Sequence, residues 1–163
     1  MKTLISFLLF FATSCSASAQ VDSLPIYKRF PTLPPFKIIT LPDSSAFSKD
    51  DLKKNKAVII MVFSPDCEHC QRALKDLQAH AALFKKVQII MASPLDYTIL
   101  KKFYDAYNIA AYPNIKMGRD GSYFFGSFFK ITFYPSIFVY DKKGNFVQRF
   151  EGDVSFAKIA ELL

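Results

Sequence analysis

Apolar residues change their spacing from one segment of the chain to the next, and each spacing predicts a different element. Residues 57–63 are all apolar and rich in β-branched side chains, as in a strand that is buried on both faces. Between residues 67 and 85 the apolar positions recur at intervals of four and three, which predicts an amphipathic helix. Shorter apolar runs predict further strands at 87–92, 114–117, 136–140 and 146–150. We therefore expect a sheet whose central strand is 57–63.

Polar and turn-forming residues predict where the remaining elements begin and end. The order Ser, Pro and Asp within 93–96 is typical of a helix start, and we expect that helix to end near Tyr107. A turn at 141–145 joins the last two strands as a hairpin, and a final helix is expected from Asp153. Two weaker patterns precede the central strand, a short strand at 36–41 and a helical turn at 48–55. The order of elements predicts an α/β fold, in which a parallel strand pair is extended by an antiparallel pair and covered by helices on both faces.

The first residues have the features of a secretory signal peptide, assigned here to 1–19. A lysine precedes an apolar run too short to span a bilayer, and small residues then lead to Ala19, after which we expect cleavage. A Pro-rich leader at 20–35 and a single domain at 36–163 follow. The protein is therefore expected to be exported, into the periplasm. The alternative is a lipoprotein anchored through Cys15, and membrane attachment is expected only in that case or if the signal stays uncleaved.

Composition and charge narrow the class of protein. In this chain of 163 residues 51% are hydrophobic and 18 are Phe, which is enough for a large core and excludes a disordered chain. The net charge is +7, but the lysines are dispersed in pairs rather than clustered. We therefore predict no nucleic-acid partner, because nucleic-acid binding favours a basic stripe.

The candidate chemistry lies in Cys67-Glu68-His69-Cys70, at the point where the central strand gives way to the helix. Unsatisfied backbone N–H groups at a helix start favour a thiolate at Cys67. Cys70 comes round to nearly the same face, within reach of a disulfide. The pair predicts thiol-disulfide exchange, with Cys67 as the nucleophile, Cys70 as the resolving thiol, and Glu68 and His69 tuning the redox potential.

Other functions of the pair stay open at this point. The main alternative is a metal-binding chaperone for copper or zinc that uses Cys67, Cys70 and His69, although a closed zinc site normally needs four ligands. A structural disulfide would close only a four-residue loop and stabilise the fold modestly. A peroxidatic cysteine and an inactive binding module are further alternatives.

Two motifs together resemble a known family. The segment 63–70 after a buried strand, with Tyr134 and Pro135 before a hairpin, resembles the thioredoxin-like superfamily, and most of all the envelope thiol-disulfide oxidoreductases of the TlpA/ResA type. The resemblance implies a thioredoxin-like fold with a central mixed sheet and helices on both faces. It also implies that Pro135 is a cis-proline facing the cysteines and that Tyr134 pairs with the substrate backbone.

The same resemblance defines an expected activity and its partners. It implies a protein thiol-disulfide oxidoreductase whose redox-active group is the Cys67–Cys70 disulfide and which needs no separate cofactor or metal. Both reduction and oxidation of partner proteins stay open, and we favour reduction. The expected partners are exported proteins with thiols or disulfides and an electron donor or acceptor. Two departures weaken the match: Asp66 replaces the usual Trp before the first cysteine, and Met61 stands where thioredoxins carry a carboxylate that assists the resolving thiol.

An aromatic segment at 123–134 has two interpretations. We expect most of it to cover the sheet as core. The alternative is an exposed apolar rim beside the cysteines that docks a partner peptide.

Overall fold

The computed structural model describes residues 24–163. The expected signal peptide, its cleavage point and Cys15 lie outside the described residues. Within them the strands are β1 (Lys37–Thr40), β2 (Ala46–Ser48), β3 (Val58–Val62), β4 (Gln88–Ser93), β5 (Ile115–Arg119), β6 (Ser136–Tyr140) and β7 (Phe146–Glu151). The helices of the same part are α1 (Ile26–Arg29), α2 (Glu68–Ala79), α3 (Tyr97–Ala106), α4 (Phe124–Phe129) and α5 (Phe156–Ala160). Short 3-10 turns lie at Lys49–Asp51, Ala81–Phe84 and Ile109–Ala111.

The strands form one mixed sheet in the order β2-β1-β5-β4-β3-β6-β7. β3 runs parallel to β4 and antiparallel to β6, and β4 runs parallel to β5. Every residue of β3 is buried, so the predicted central strand is confirmed. The parallel part has three strands rather than the predicted pair, and β1 adds an antiparallel strand to its far side.

Helices cover both faces of the sheet, as predicted. Alternate side chains of β3 point to opposite faces, so that Ile59 and Met61 join one core while Val58 and Ile60 join the other. The first core is closed by α2, α3 and α5, and the second by α1 and α4. The strand that leads to the cysteines is therefore fixed from two sides.

Several predicted boundaries differ from the structure. The helix expected over 67–85 ends at Ala79 and is followed by a 3-10 turn. The helix expected from residue 93 begins at Tyr97 with Asp96 as its N-cap, because Ser93 is still the last residue of β4. The last helix begins at Phe156, three residues later than predicted.

Helix α4 has no counterpart in the sequence prediction. Its start is fixed by Asp120, a carboxylate that is only 2% exposed. The two oxygens of Asp120 accept hydrogen bonds from the backbone N–H groups of Phe124 at 2.9 Å and Phe125 at 2.8 Å. These bonds satisfy donors that a helix start leaves without partners.

The segment that precedes β1 packs on the rest of the fold. Tyr27 of α1 is buried, and its ring lies edge-on to Phe129, Phe138 and Phe146. Leu33 donates its N–H to the carbonyl of Gly144 in the β6–β7 turn, at 2.8 Å. Among residues 24–163, no helix has the length and apolar character needed to span a bilayer.

Candidate functional site

Cys67 stands at the junction that the sequence predicts for the redox pair. It is the N-cap of α2, with extended backbone angles, and its carbonyl accepts the N–H of Gln71 at 3.1 Å. Its side chain is partly exposed, whereas Cys70, in the first turn of α2, is completely buried. The same turn of helix therefore holds one accessible thiol and one protected thiol.

The two cysteines are free thiols and lie close together. Burial raises the pKa of the Cys70 thiol far above its usual value, and the neighbouring sulfur of Cys67 raises the pKa further. A backbone hydrogen bond from Ser64 acts in the opposite direction but does not outweigh burial. Cys70 thus holds its proton at neutral pH while Cys67 faces the surface.

The loop before β6 forms the opposite wall of the site. The Tyr134–Pro135 peptide bond is cis, and the thiol of Cys67 contacts the carbonyl oxygen of Tyr134 at 3.6 Å. The hydroxyl of Ser136 donates to the carbonyl of Phe133 at 2.8 Å, which ties the loop to the start of β6. The structure therefore brings Tyr134 and Pro135, predicted as substrate-binding residues, against the first cysteine.

The aromatic segment is divided between core and surface. Phe125 and Phe129 of α4 are fully buried, so most of the segment covers the sheet. Phe133 is 65% exposed and Tyr123 is 45% exposed. The ring of Tyr134 is partly buried and packs against both cores. Burial raises the pKa of the Tyr134 hydroxyl, and so does a hydrogen bond with Tyr123.

A shallow groove lies next to the segment that precedes Cys67. It has a volume of about 400 Å³ and lies between the loop that precedes Cys67 and helix α3. Its lining includes Pro65, Asp66 and the exposed side chain of Ile99. The groove and the exposed ring of Phe133 thus offer apolar surface near Cys67.

The two residues between the cysteines point to the outer face of α2. Glu68 is exposed and its carboxylate lies 3.7 Å from the guanidinium of Arg72. The Nδ1 atom of His69 lies 2.8 Å from Oδ1 of Asp153, and Arg72 contacts the same oxygen at 3.0 Å. The roles of Arg72 and Asp153 were not predicted from the sequence. The three-residue spacing from His69 to Arg72 indicates that these two side chains share a helix face, but no sequence pattern indicates that Asp153 lies beside them.

A metal site using Cys67, Cys70 and His69 together is not formed. Across residues 24–163, no three His, Cys, Asp or Glu side chains are grouped so that they could hold a metal ion. His69 does not join the two cysteines, because its Nδ1 atom contacts Oδ1 of Asp153 at 2.8 Å.

Comparisons with known proteins agree with this architecture. Residues 48–163 match the family described as the thioredoxin-like domain. A search of curated proteins gives no match. Among solved structures, StoA from Bacillus subtilis is 14% identical with a TM-score of 0.63, and the match covers 81% of this chain and 98% of that one.

Two further structures have the same fold. A secreted Mycobacterium tuberculosis disulfide oxidoreductase, homologous to Escherichia coli DsbE, is 18% identical with a TM-score of 0.65, covering 78% of this chain and 92% of that one. The exposed lipoprotein thioredoxin of Streptococcus pneumoniae is 18% identical with a TM-score of 0.59, covering 80% and 100%. The family match extends from the end of β2 to the last residue and includes both walls of the cysteine site. The chain therefore belongs to the thioredoxin-like domain family, as the resemblance in its sequence predicted.

Proposed function

We propose that this protein is a thiol-disulfide oxidoreductase of the TlpA/ResA type that reduces disulfides in exported partner proteins. The observation that carries the proposal is the pairing of an accessible Cys67 with a buried Cys70, opposite the Tyr134 carbonyl. An accessible sulfur can attack the disulfide of a partner protein, and the second sulfur beside it can then resolve the mixed disulfide that forms. A structural disulfide would not need one partner at the surface.

The reaction proceeds through two exchanges. The thiolate of Cys67 attacks one sulfur of the partner disulfide, forming a mixed disulfide and releasing the other partner sulfur, which takes up a proton. Cys70 then loses its proton and attacks the sulfur of Cys67, releasing the second partner thiol and leaving a Cys67–Cys70 disulfide. An external dithiol must return two electrons to this disulfide before the next cycle.

Tyr134 and Pro135 orient the partner in this proposal. The contact between the Cys67 thiol and the Tyr134 carbonyl needs the proton on sulfur, so it is given up when the thiolate forms. The carbonyl then becomes an acceptor for a backbone N–H of an extended partner segment, as the family resemblance implies. The exposed side chains of Phe133 and Ile99 supply apolar contact area.

Charge around the helix start supports the reducing direction. A thiolate that is less stabilised makes the dithiol form less stable and hence a better reductant. The exposed carboxylates of Asp66 and Glu68 flank Cys67 in the sequence and act against its thiolate. Export, into the periplasm or as a lipoprotein, places the enzyme where partner disulfides form, and two of the proteins with the same fold are described as secreted or as an exposed lipoprotein.

Trapping the mixed disulfide tests the proposal. Cys70→Ser protein incubated with insulin should accumulate a covalent adduct through Cys67, seen on a non-reducing gel, because the resolving thiol is absent. Cys67→Ser should form no adduct. Equal behaviour of the two variants contradicts the assigned roles. Loss of thiol reactivity on adding one equivalent of Cu(I) or Zn(II), without any adduct, would instead support the metal chaperone.

A further inference from the structure

The loop between β7 and α5 is anchored to both walls of the cysteine site. Gly152 has a φ of 70° and donates its N–H to the carbonyl of Pro135 at 3.0 Å. At the other end of the loop, Phe156 donates its N–H to Oδ2 of Asp76, a residue of α2, at 2.6 Å. The residue between these anchors that carries a charge is Asp153, so its carboxylate is held beside the first turn of α2.

The carboxylate of Asp153 contacts the side chains of His69 and Arg72. Its Oδ1 atom lies 2.8 Å from Nδ1 of His69, 3.0 Å from Nη2 of Arg72 and 3.3 Å from Nε of Arg72. The hydrogen bonds from His69 and Arg72 hold the pKa of Asp153 below its usual value. The carboxylate is therefore ionised at neutral pH and neutralises positive charge one turn from the nucleophilic sulfur.

The contact also bears on which ring nitrogen of His69 carries hydrogen. An ionised carboxylate can only accept a hydrogen bond, so the 2.8 Å contact with Asp153 is a hydrogen bond only when Nδ1 of His69 carries the hydrogen. Arg72 lies 2.8 Å from the same nitrogen and donates to Asp153 rather than to a ring nitrogen that is itself a donor. Asp153 thus favours hydrogen on Nδ1 of His69.

We infer that Asp153 is a positioning residue that holds His69 and Arg72 and lowers the reduction potential of the Cys67–Cys70 pair. The inference rests on the proposed thiol-disulfide exchange. Without the Asp153 charge, Arg72 adds uncompensated positive potential near the helix start, where it stabilises a Cys67 thiolate together with the helix dipole. Glu68, the other charge of this turn, partly opposes that change.

The test is the equilibrium of each protein with glutathione, in which the dithiol and one oxidised glutathione give the disulfide and two reduced glutathiones. Asp153→Asn should shift the equilibrium toward the dithiol by about two- to fivefold, the size expected for one exposed charge near a helix start. Arg72→Gln should shift it toward the disulfide. Opposite signs are the diagnostic feature, because mere damage to the fold would move both variants in one direction. At high salt both shifts should shrink.

Asp50→Asn provides a matched control. Asp50 is exposed and follows β2, at the opposite edge of the sheet from β7, so its loss removes the same charge far from the cysteines. A shift in Asp153→Asn no larger than in Asp50→Asn overturns the inference and leaves the proposed function standing. If the unaltered protein forms no disulfide in oxidised glutathione, the proposed function fails and this inference fails with it. Nitrogen-15 shifts of His69 should show the Nδ1–H tautomer in the unaltered protein and lose that preference in Asp153→Asn; an Nε2–H tautomer in the unaltered protein contradicts the assignment.

Discussion

The thiol of Cys67 lies 3.6 Å from the carbonyl oxygen of Tyr134, 67 residues away in the chain. This contact joins the start of α2 to the loop before β6, two segments that meet because β3 and β6 are adjacent antiparallel strands. The reactive group and the expected docking backbone are thus parts of one rigid frame. Within this frame Cys67 is partly exposed and Cys70 is buried.

Alkylation should distinguish the two thiols. In the folded, reduced protein, iodoacetamide at neutral pH should modify Cys67 and leave Cys70 unmodified, since Cys70 is buried and burial raises its pKa. Peptide mapping by mass spectrometry measures each site separately. In concentrated urea the two sites should react at similar rates, which serves as the control. Equal labelling without denaturant would contradict the assigned burial.

The stability of the reduced protein should fall at alkaline pH. Burial raises the pKa of Cys70 in the fold, whereas an unfolded thiol titrates near about 8.5. Above that pH the unfolded chain binds fewer protons than the folded one. The stabilisation that the buried, protonated thiol gives the fold is therefore complete below about pH 8.5 and is lost as the pH rises further. The slope is at most about 1.4 kcal/mol per pH unit.

Urea midpoints between pH 7 and pH 9.5 measure this effect. The oxidised protein has no Cys70 thiol and should not show the additional loss, and neither should Cys70→Ser. Parallel decline of the reduced and oxidised proteins would show that other groups are responsible.

Asp76 should stabilise the fold by capping a helix other than its own. Its Oδ2 atom accepts the N–H of Phe156 at the start of α5, at 2.6 Å. Asp76→Ala should lower the free energy of unfolding by about 1–2 kcal/mol, the usual cost of losing a cap. Asp105→Ala is the comparison, since Asp105 pairs with Lys101 on the exposed surface of α3, and should change stability by less than about 1 kcal/mol. Equal effects would exclude the capping role.

Phe133 should matter for protein substrates only. It is 65% exposed and directly precedes Tyr134. Phe133→Ser should lower kcat/KM for insulin reduction by about fivefold, corresponding to loss of roughly 1 kcal/mol of apolar contact. Reaction with a small aromatic disulfide should be unchanged. Leu83→Ser removes an exposed apolar side chain beyond the far end of α2 and should alter neither rate; a similar fall in that variant would refute the docking role.

The parts of the fold that the sequence predicted are those governed by local pattern. An uninterrupted apolar run such as 57–63 has few solutions other than a strand covered on both faces, and the structure confirms it. Helix α4 was not predicted because it is short and contains Gly126, a residue that disfavours helix. It is defined instead by the Asp120 cap and by burial of its phenylalanines against α1 and the sheet.

The candidate site shows the same division. The two cysteines are neighbours in sequence, so their proximity follows from helix geometry alone. The position of Tyr134 and Pro135 came from family resemblance, which supplies the long-range contact that spacing does not contain. His69 and Asp153 are 84 residues apart, and no local sequence feature near either residue predicts the contact between them.

The way Tyr27 and Leu33 pack has a consequence for any shortened version of this protein. The shared family region begins at residue 48, but the layer under α4 also contains Tyr27, Leu33, Phe36 and Ile38. A truncation at that boundary would strip the layer of these side chains and remove the strand that flanks β5. The smallest autonomous unit is therefore larger than the homologous region, because side chains from residues 27–38 belong to its hydrophobic interior.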